Sequence, residues 1–154
     1  MPSPNKWGPV TWTLFHSLIE SLKEESFPSI YSQLFMQIKN LCSVLPCPIC
    51  SAHASGYLSK ITDDHINTKI KFRNMMYIFH NVVNAKNKKP GFLVQDLEKY
   101  KNANIVDCFN NCMREFNTNG NMNLIAESFH RKKRTSFFKK WLIANIKSFC
   151  FRPN

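Results

Sequence analysis

Two cysteines separated by two residues, Cys47 and Cys50, lie in the run Leu45-Pro46-Cys47-Pro48-Ile49-Cys50-Ser51-Ala52-His53. Pro48 suits the first position of a helix, where its missing N–H would be unpaired in any case. Both sulfurs then sit at the positive end of a helix dipole, which favours thiolate over thiol. Such a pair suits dithiol–disulfide exchange, because one thiolate attacks while its neighbour stands close enough to resolve the mixed disulfide. Taken alone, a Cys-x-x-Cys reads equally as half of a zinc site or as two packing cysteines.

Other polar residues interrupt apolar helical stripes where packing does not call for them. His16 follows Trp12 by four residues, so the two share a helix face. His80 and Asn84 are one turn apart, with Asn81 beside them and Lys86, Lys88 and Lys89 just beyond, and His53 lies three residues past Cys50. Any one of these histidines reads as a solvated or satisfied side chain. Zinc would need the imidazoles within about 2.1 Å of one ion. A large aromatic cofactor instead needs rings to stack on, amide and imidazole groups along its edge and lysines for phosphates. Trp12, Asn81, Asn84 and the lysines fit the second description.

The elements that must position these residues follow from apolar spacing. A first helix is expected from Trp7 to Lys23, with Trp12, Phe15, Ile19 and Leu22 at helical intervals. A second starts near Pro28, carries Ile30, Leu34, Ile38, Leu41 and Leu45, and closes at Pro46. The third begins at the cysteine turn and carries Ala54, Tyr57, Leu58 and Ile61, with Asp63-Asp64 as a following turn or cap. A fourth covers Ile66 to Asn87, with Ile70, Met75, Tyr77, Ile78, Val82 and Val83 inside. A short fifth, Leu93 to Lys101, is expected to pack across the bundle. Short connections between four helices imply an up-and-down bundle, so the fold class is all-α.

Composition agrees. The 154 residues suffice for one core, and 44% hydrophobic content with 13 phenylalanines excludes a disordered chain. No apolar run approaches the roughly 20 residues that span a bilayer. The opening Met1-Pro2-Ser3-Pro4-Asn5-Lys6 lacks the apolar core of a secretory signal, so six cysteines imply metal or redox use before a secreted disulfide scaffold. Residues 1–104 hold 12 basic and 7 acidic side chains, net +5; residues 105–154 hold 9 and 3, net +6 in half the length. The division expected is a core domain over 1–103 and a basic helical extension over 104–154.

Three stretches together resemble one family. Trp7-Gly8-Pro9-Val10-Thr11-Trp12-Thr13-Leu14-Phe15-His16 is similar to the opening helix of the Erv/ALR flavin-linked sulfhydryl oxidases. Leu45 to Cys50 followed by His53 resembles their redox centre, and His80-Asn81-Val82-Val83-Asn84-Ala85-Lys86-Asn87-Lys88-Lys89-Pro90 their flavin-binding helix. The three fall in order over residues 5–102, and the compact form looks closest to versions carried by large DNA viruses.

The resemblance implies a bundle holding FAD against the Cys47–Cys50 disulfide, with electrons passing on to O2 to give hydrogen peroxide. It implies that Gly8 lets the backbone approach the cofactor, and that Trp12 and His16 line its adenine side. His53, His80, Asn81 and Asn84 would hold the flavin and ribityl groups with Tyr77 nearby, and Lys86 and Lys89 the pyrophosphate or adenosine end. Cys50 would touch the flavin ring and Cys47 exchange with incoming thiols. Protein dithiols or a thioredoxin-like small redox carrier would be the substrates. It also implies a homodimer built through the first two helices, and a viral assembly role in host cytoplasm; a cellular member would imply a mitochondrial intermembrane or ER-type compartment.

The chain also departs from the family pattern. A second disulfide often braces the flavin helix, yet Lys71-Phe72-Arg73 and Gly91-Phe92-Leu93 contain no cysteine, so packing must replace it. Met75 stands where a tryptophan is usual. Cys42 reads as a buried structural thiol and Cys150 as free or paired with a partner. Cys108 and Cys112 read either as a shuttle on a mobile arm or as structural cysteines one helical turn apart. The tail from Asn121 interleaves Phe137, Phe138, Trp141, Leu142, Ile146 and Phe149 with Arg131-Lys132-Lys133-Arg134, Lys139, Lys140 and Lys147. It reads as a helix packed on the core, as a membrane-surface contact or as a partner contact, and the four-residue basic run keeps nucleic acid among the readings. A zinc adaptor built from Cys47, Cys50, Cys108 and Cys112, and a thioredoxin-type reductase, which would need strands, are the competing functional classes.

Overall fold

Leu14, Phe15, Leu18, Ile19 and Leu22 form a continuous apolar stripe, and each is at most 1% exposed. The first four belong to helix α1, Pro4–Ser21, and Leu22 follows its last residue. The computed structural model describes the backbone of residues 4–116 and 125–150 and the side chains of residues 5–116 and 128–150. The residues before Pro4, and the start of the tail expected from Asn121, lie outside the described residues. Thr11, His16, Ser17, Glu20 and Ser21 are buried as well, so α1 is enclosed on every side past its first turns.

Helix α2, Phe27–Cys42, buries Phe27, Ile30, Leu34, Ile38 and Leu41 at the expected spacing and ends three residues earlier than Leu45. Its last carbonyls are met by the Ser43 N–H, ahead of the Pro46 break. Helix α3, Pro48–Leu58, starts where Pro48 permits it, with Cys47 as the N-cap in extended conformation, and Ile61 falls beyond its end. The Asp63-Asp64 turn is a single 3₁₀ turn, Asp63–His65, capped by Thr62.

Helix α4, Lys69–Lys86, is capped by Thr68, whose hydroxyl accepts the Lys71 N–H at 3.2 Å. Its buried face corrects the expectation. Phe72, Met75, Met76 and Phe79 point inward, whereas Ile70, Ile78 and Val82 are exposed. Both sets satisfy helical spacing, and the i, i+3, i+4, i+7 set carries the larger contiguous area, so it takes the core. The segment Val94–Asn102 forms 3₁₀ helix in place of the short α-helix expected. Leu97 and Tyr100, three residues apart, therefore lie on one edge and are both buried against α1.

Helices α5, Ile105–Phe116, and α6, Ile125–Ala144, pack on α1 and α2 respectively. Cys108, Phe109, Cys112, Phe116, Phe138, Leu142 and Phe149 enter the same hydrophobic cluster as the first four helices. The chain end returns to α1, where the Cys150 N–H donates to the Ser21 carbonyl at 2.7 Å and the Lys23 N–H to the Ser148 carbonyl at 2.9 Å. Helix α1, one of the two helices through which a homodimer was expected, also packs against the chain's own α5. Among the described residues, no helix is long and apolar enough to cross a membrane.

Two basic residues of α4 tie this arrangement together. Lys69 donates to the carbonyls of Glu20 and Leu22, at 2.9 and 2.7 Å, closing the end of α1. Arg73 pairs with the buried Glu20 and, at 3.3 Å, with Glu98 of the 3₁₀ segment. Arg73→Ala leaves a carboxylate buried without its ion partner, at a cost of roughly 3 kcal/mol. At about 2–4 °C per kcal/mol for a chain of this size, thermal unfolding should fall by roughly 6–12 °C, and an unchanged melting temperature would contradict the pairing.

Candidate active site

A cavity of about 360 Å³ opens between α1, α3, α4 and the 3₁₀ segment, within the size range of small-molecule and cofactor sites. Of the expected residues, Gly8, Trp12, Cys50, His53, His80, Asn84, Lys86 and Lys89 line it. The helix start at Pro48 places Cys50 and His53 on the face of α3 that meets α1 and α4. Cys47 stays at the helix cap, where its sulfur accepts the Cys50 N–H at 3.3 Å.

The two thiols differ. Burial pushes the Cys50 thiol up to about 11, with the neighbouring Cys47 adding to the rise, while its own backbone N–H and Lys86 oppose it. The helix start alone would predict a depressed value; desolvation at the cavity wall outweighs it.

Three expected residues stand behind the wall instead of on it. His16 is buried, and its Nε2 lies 3.0 Å from His80 Nδ1, so it orients the His80 ring. His80 stacks on Trp12 with ring centroids 4.0 Å apart, and His16 stacks on Tyr100 at 4.9 Å. Asn81 turns away from the cavity: its amide donates to the Phe92 carbonyl at 3.1 Å and accepts the Phe92 N–H at 3.0 Å. Tyr77 packs on Phe92 at 5.1 Å. These contacts replace the missing disulfide brace. A Cβ at Gly91 would stand 3.3 Å from Asn81 Oδ1, so the close approach of the loop suits glycine. Met75 is buried in the core and does not line the cavity; Phe79 forms that part of the wall.

Trp7, Thr11, Cys42, Lys99 and Tyr100 line the cavity without having been singled out. Trp7 and Thr11, four residues apart, share a helix face with each other but not with Trp12, so Trp12 did not point to them. Lys99 and Tyr100 arrive through the Val94–Asn102 segment, whose crossing of the bundle was expected but whose 3₁₀ form was not.

The lining fits an anionic aromatic ligand. Trp7 Nε1 is buried without a partner among the described residues. Nothing stands within 4 Å of where a Cβ at Gly8 would lie, so the cavity runs up to the backbone there. Lys86, Lys89 and Lys99 contribute three cations, and no carboxylate lines the cavity among the described residues. Burial holds His80 down at about 4 and His16 at about 3, and lowers His53 with Lys86 contributing, so neutral imidazoles face the space.

Of the remaining cysteines Cys42 lines the cavity, and Cys108, Cys112 and Cys150 do not. The shuttle expectation for Cys108 and Cys112 is corrected: both are buried in regular helix, not on a mobile arm. Cys108 Sγ donates to Ser17 Oγ and Cys112 Sγ lies against Thr11 Oγ1, each at 3.7 Å. Desolvation pushes Cys112 and Cys42 up to about 12, which keeps them protonated and inert. Their seats on α1 also separate Cys108 and Cys112 from the α3 cap, so the four-cysteine zinc arrangement does not form. Cys150 is exposed.

Comparison with known proteins follows this geometry. The Erv1 / Alr family model matches residues 9–104. A FAD-linked sulfhydryl oxidase of African swine fever virus is 30% identical over 97 residues, covering 62% of this chain and 77% of that protein. A protein of Invertebrate iridescent virus 6 named for the same activity is 29% identical over 93 residues, covering 56% of this chain and 84% of its own length. No solved structure matches.

The neutral histidine pair sets a pH dependence. Unfolded histidine titrates near 6.5, so below that pH the unfolded chain binds protons that the folded chain refuses, and stability falls as pH drops toward 4. Each such proton is worth about 1.4 kcal/mol per pH unit. His16→Phe should therefore lose stability less steeply than the parent between pH 6 and 4.5, in denaturant titrations at each pH. Equal slopes would mean that His16 charges in the folded protein.

Proposed function

Because the chain belongs to the Erv1/Alr family, we propose that the cavity between α1, α3 and α4 is its FAD site and that Cys47 and Cys50 are its redox pair. The protein is a FAD-dependent thiol oxidase acting on dithiol substrates. The observation that carries the site assignment is Cys50 lining the cavity wall while Cys47, three residues away, caps the helix and lies off that lining.

In the oxidised enzyme a substrate thiolate attacks the Cys47 sulfur. The Cys47–Cys50 bond breaks, Cys50 leaves with the electron pair, and a mixed disulfide joins substrate to Cys47. A second substrate thiolate attacks the substrate sulfur of that bond and releases Cys47, so the substrate departs oxidised and both electrons rest on the pair. FAD, when bound beside Cys50, would supply a two-electron acceptor for the pair and a route onward to O2, giving hydrogen peroxide. Trp12 and His80 offer stacking surface, Asn84 and His53 edge hydrogen bonds, and Lys86, Lys89 and Lys99 charge for the diphosphate. Exchange is assigned to Cys47 because it caps the helix outside the cavity lining, while Cys50, the leaving thiolate in that attack, stands at the cavity wall.

Finer aspects of partnership rest on surfaces. The outward face of α6 carries Phe129, Phe137 and Ile143 among Lys132, Lys133 and Lys140, and no acidic residue occurs from Ser128 to Cys150. An anionic surface, lipid or protein, is its complement. A homodimer would use the open side of α2 around Met36, since α1 is enclosed. Protein dithiols or a small thioredoxin-like carrier are the substrates proposed, and a role in virus assembly within host cytoplasm is the reading that the viral source of the relatives supports. Sedimentation with and without vesicles of anionic lipid tests both surfaces: Lys133→Glu with Lys140→Glu should abolish vesicle binding and leave the oligomeric state unchanged.

The redox assignment makes a sharper prediction. Cys47→Ser and Cys50→Ser should each lower dithiol turnover by at least about a thousandfold, the loss expected when a nucleophile is deleted, while retaining about one FAD per chain. Retained turnover in either variant would reject the pair.

A further inference from the structure

The peptide unit joining Val44 to Leu45 lies in the connection between α2 and α3, three residues before Cys47. Both of its polar groups are gripped. The Leu45 N–H donates to Ser51 Oγ of α3 at 2.8 Å, and the Val44 carbonyl accepts from Arg131 Nε of α6 at 2.9 Å. Ser51 and Arg131 are both buried, the latter only 6% exposed. A guanidinium taken out of water costs several kcal/mol before its bonds repay it, so its position against one carbonyl is not incidental packing.

The chain geometry carries this grip forward. Pro46 fixes its own φ near −65°. Between the held peptide and Cys47 only the Leu45 torsions and the Pro46 ψ remain soft, and Leu45 is itself buried. The plane of the 44–45 peptide therefore aims Cys47 at the helix cap, where its sulfur meets the Cys50 N–H. Ser51 lies within the family match, whereas Arg131 lies beyond its end at residue 104.

We propose that Arg131, supplied by the C-terminal extension, is a positioning residue for the redox turn: with Ser51 it clamps the 44–45 peptide and so presets Cys47 and Cys50 for ring closure. The inference rests on the reading of Cys47 and Cys50 as the exchanging pair. Closure of a disulfide within the turn has an effective molarity set by how firmly the turn holds the two sulfurs. Loosening the clamp weakens closure and moves the equilibrium with glutathione toward the dithiol. The balance is simple: the reduced pair and one glutathione disulfide give the Cys47–Cys50 disulfide and two glutathione thiols.

The test is that equilibrium, measured by quenching and mass analysis of the full chain across a series of glutathione ratios, which needs no turnover. Arg131→Met should shift it about tenfold toward the dithiol, the scale of one charge-assisted hydrogen bond. Arg131→Lys, which keeps a cationic donor, should recover most of the shift, and Ser51→Ala should move it in the same direction as Arg131→Met. FAD content should stay at the parent value in all three. An Arg131→Met protein that folds and titrates within twofold of the parent overturns the proposal. If Arg131→Met does not fold, Ser51→Ala decides, and a parental equilibrium there overturns the clamp. Absence of dithiol oxidase activity in the parent would strike the proposed function alone, because the glutathione titration would still report on the turn.

Discussion

Enclosure of α1 is the constraint from which the rest of the molecule follows. A helix buried on every side carries polar side chains that must find partners, and each partner fixes another element. His16 meets His80 of α4, Glu20 meets Arg73 of α4, and Ser17 and Thr11 meet Cys108 and Cys112 of α5. These contacts allow one rotation of α4 about its axis. That rotation puts Phe79, His80, Val83 and Asn84 on the cavity and leaves Ile78 and Val82 outside. The site is therefore a by-product of satisfying the central helix, and the extension helps to create it by covering α1 and α2.

The cysteine pair shows how a short spacing separates two roles. A helix that begins at Pro48 holds Cys47 at its cap and Cys50 one turn in, so Cys50 lines the cavity and Cys47 does not. The helix terminus and burial then act against each other on Cys50, and burial wins. The proposed division of roles follows from that placement: Cys47 at the cap for exchange with outside thiols, Cys50 at the cavity wall for electron transfer.

Much of this was legible in the residues. Pro48 and Pro46 marked the α3 start, and the α1 and α2 stripes were readable because one apolar set dominates each helix. In α4 two apolar sets compete at helical spacing, and tertiary contact with α1 decides between them, so Ile70, Ile78 and Val82 were assigned to the wrong side. His16, Asn81 and Tyr77 share motif positions with residues that do line the cavity. Their placement behind the wall depends on partners at Phe92 and Tyr100, which no local pattern announces. Cys108 and Cys112 could be read as a shuttle or as structural cysteines one turn apart, and burial against α1, a long-range contact, favours the second. Arg131 read as one member of a basic run, and only the fold brings it to the Val44 carbonyl.

The most direct measurement of the central claim, that this cavity holds FAD in electronic contact with Cys50, is anaerobic addition of a dithiol to the purified protein while its visible absorbance is followed. The account predicts a yellow protein with about one FAD per chain whose absorbance bleaches in the parent and persists in Cys50→Ser. A colourless protein, or bleaching that proceeds equally without Cys50, would contradict it.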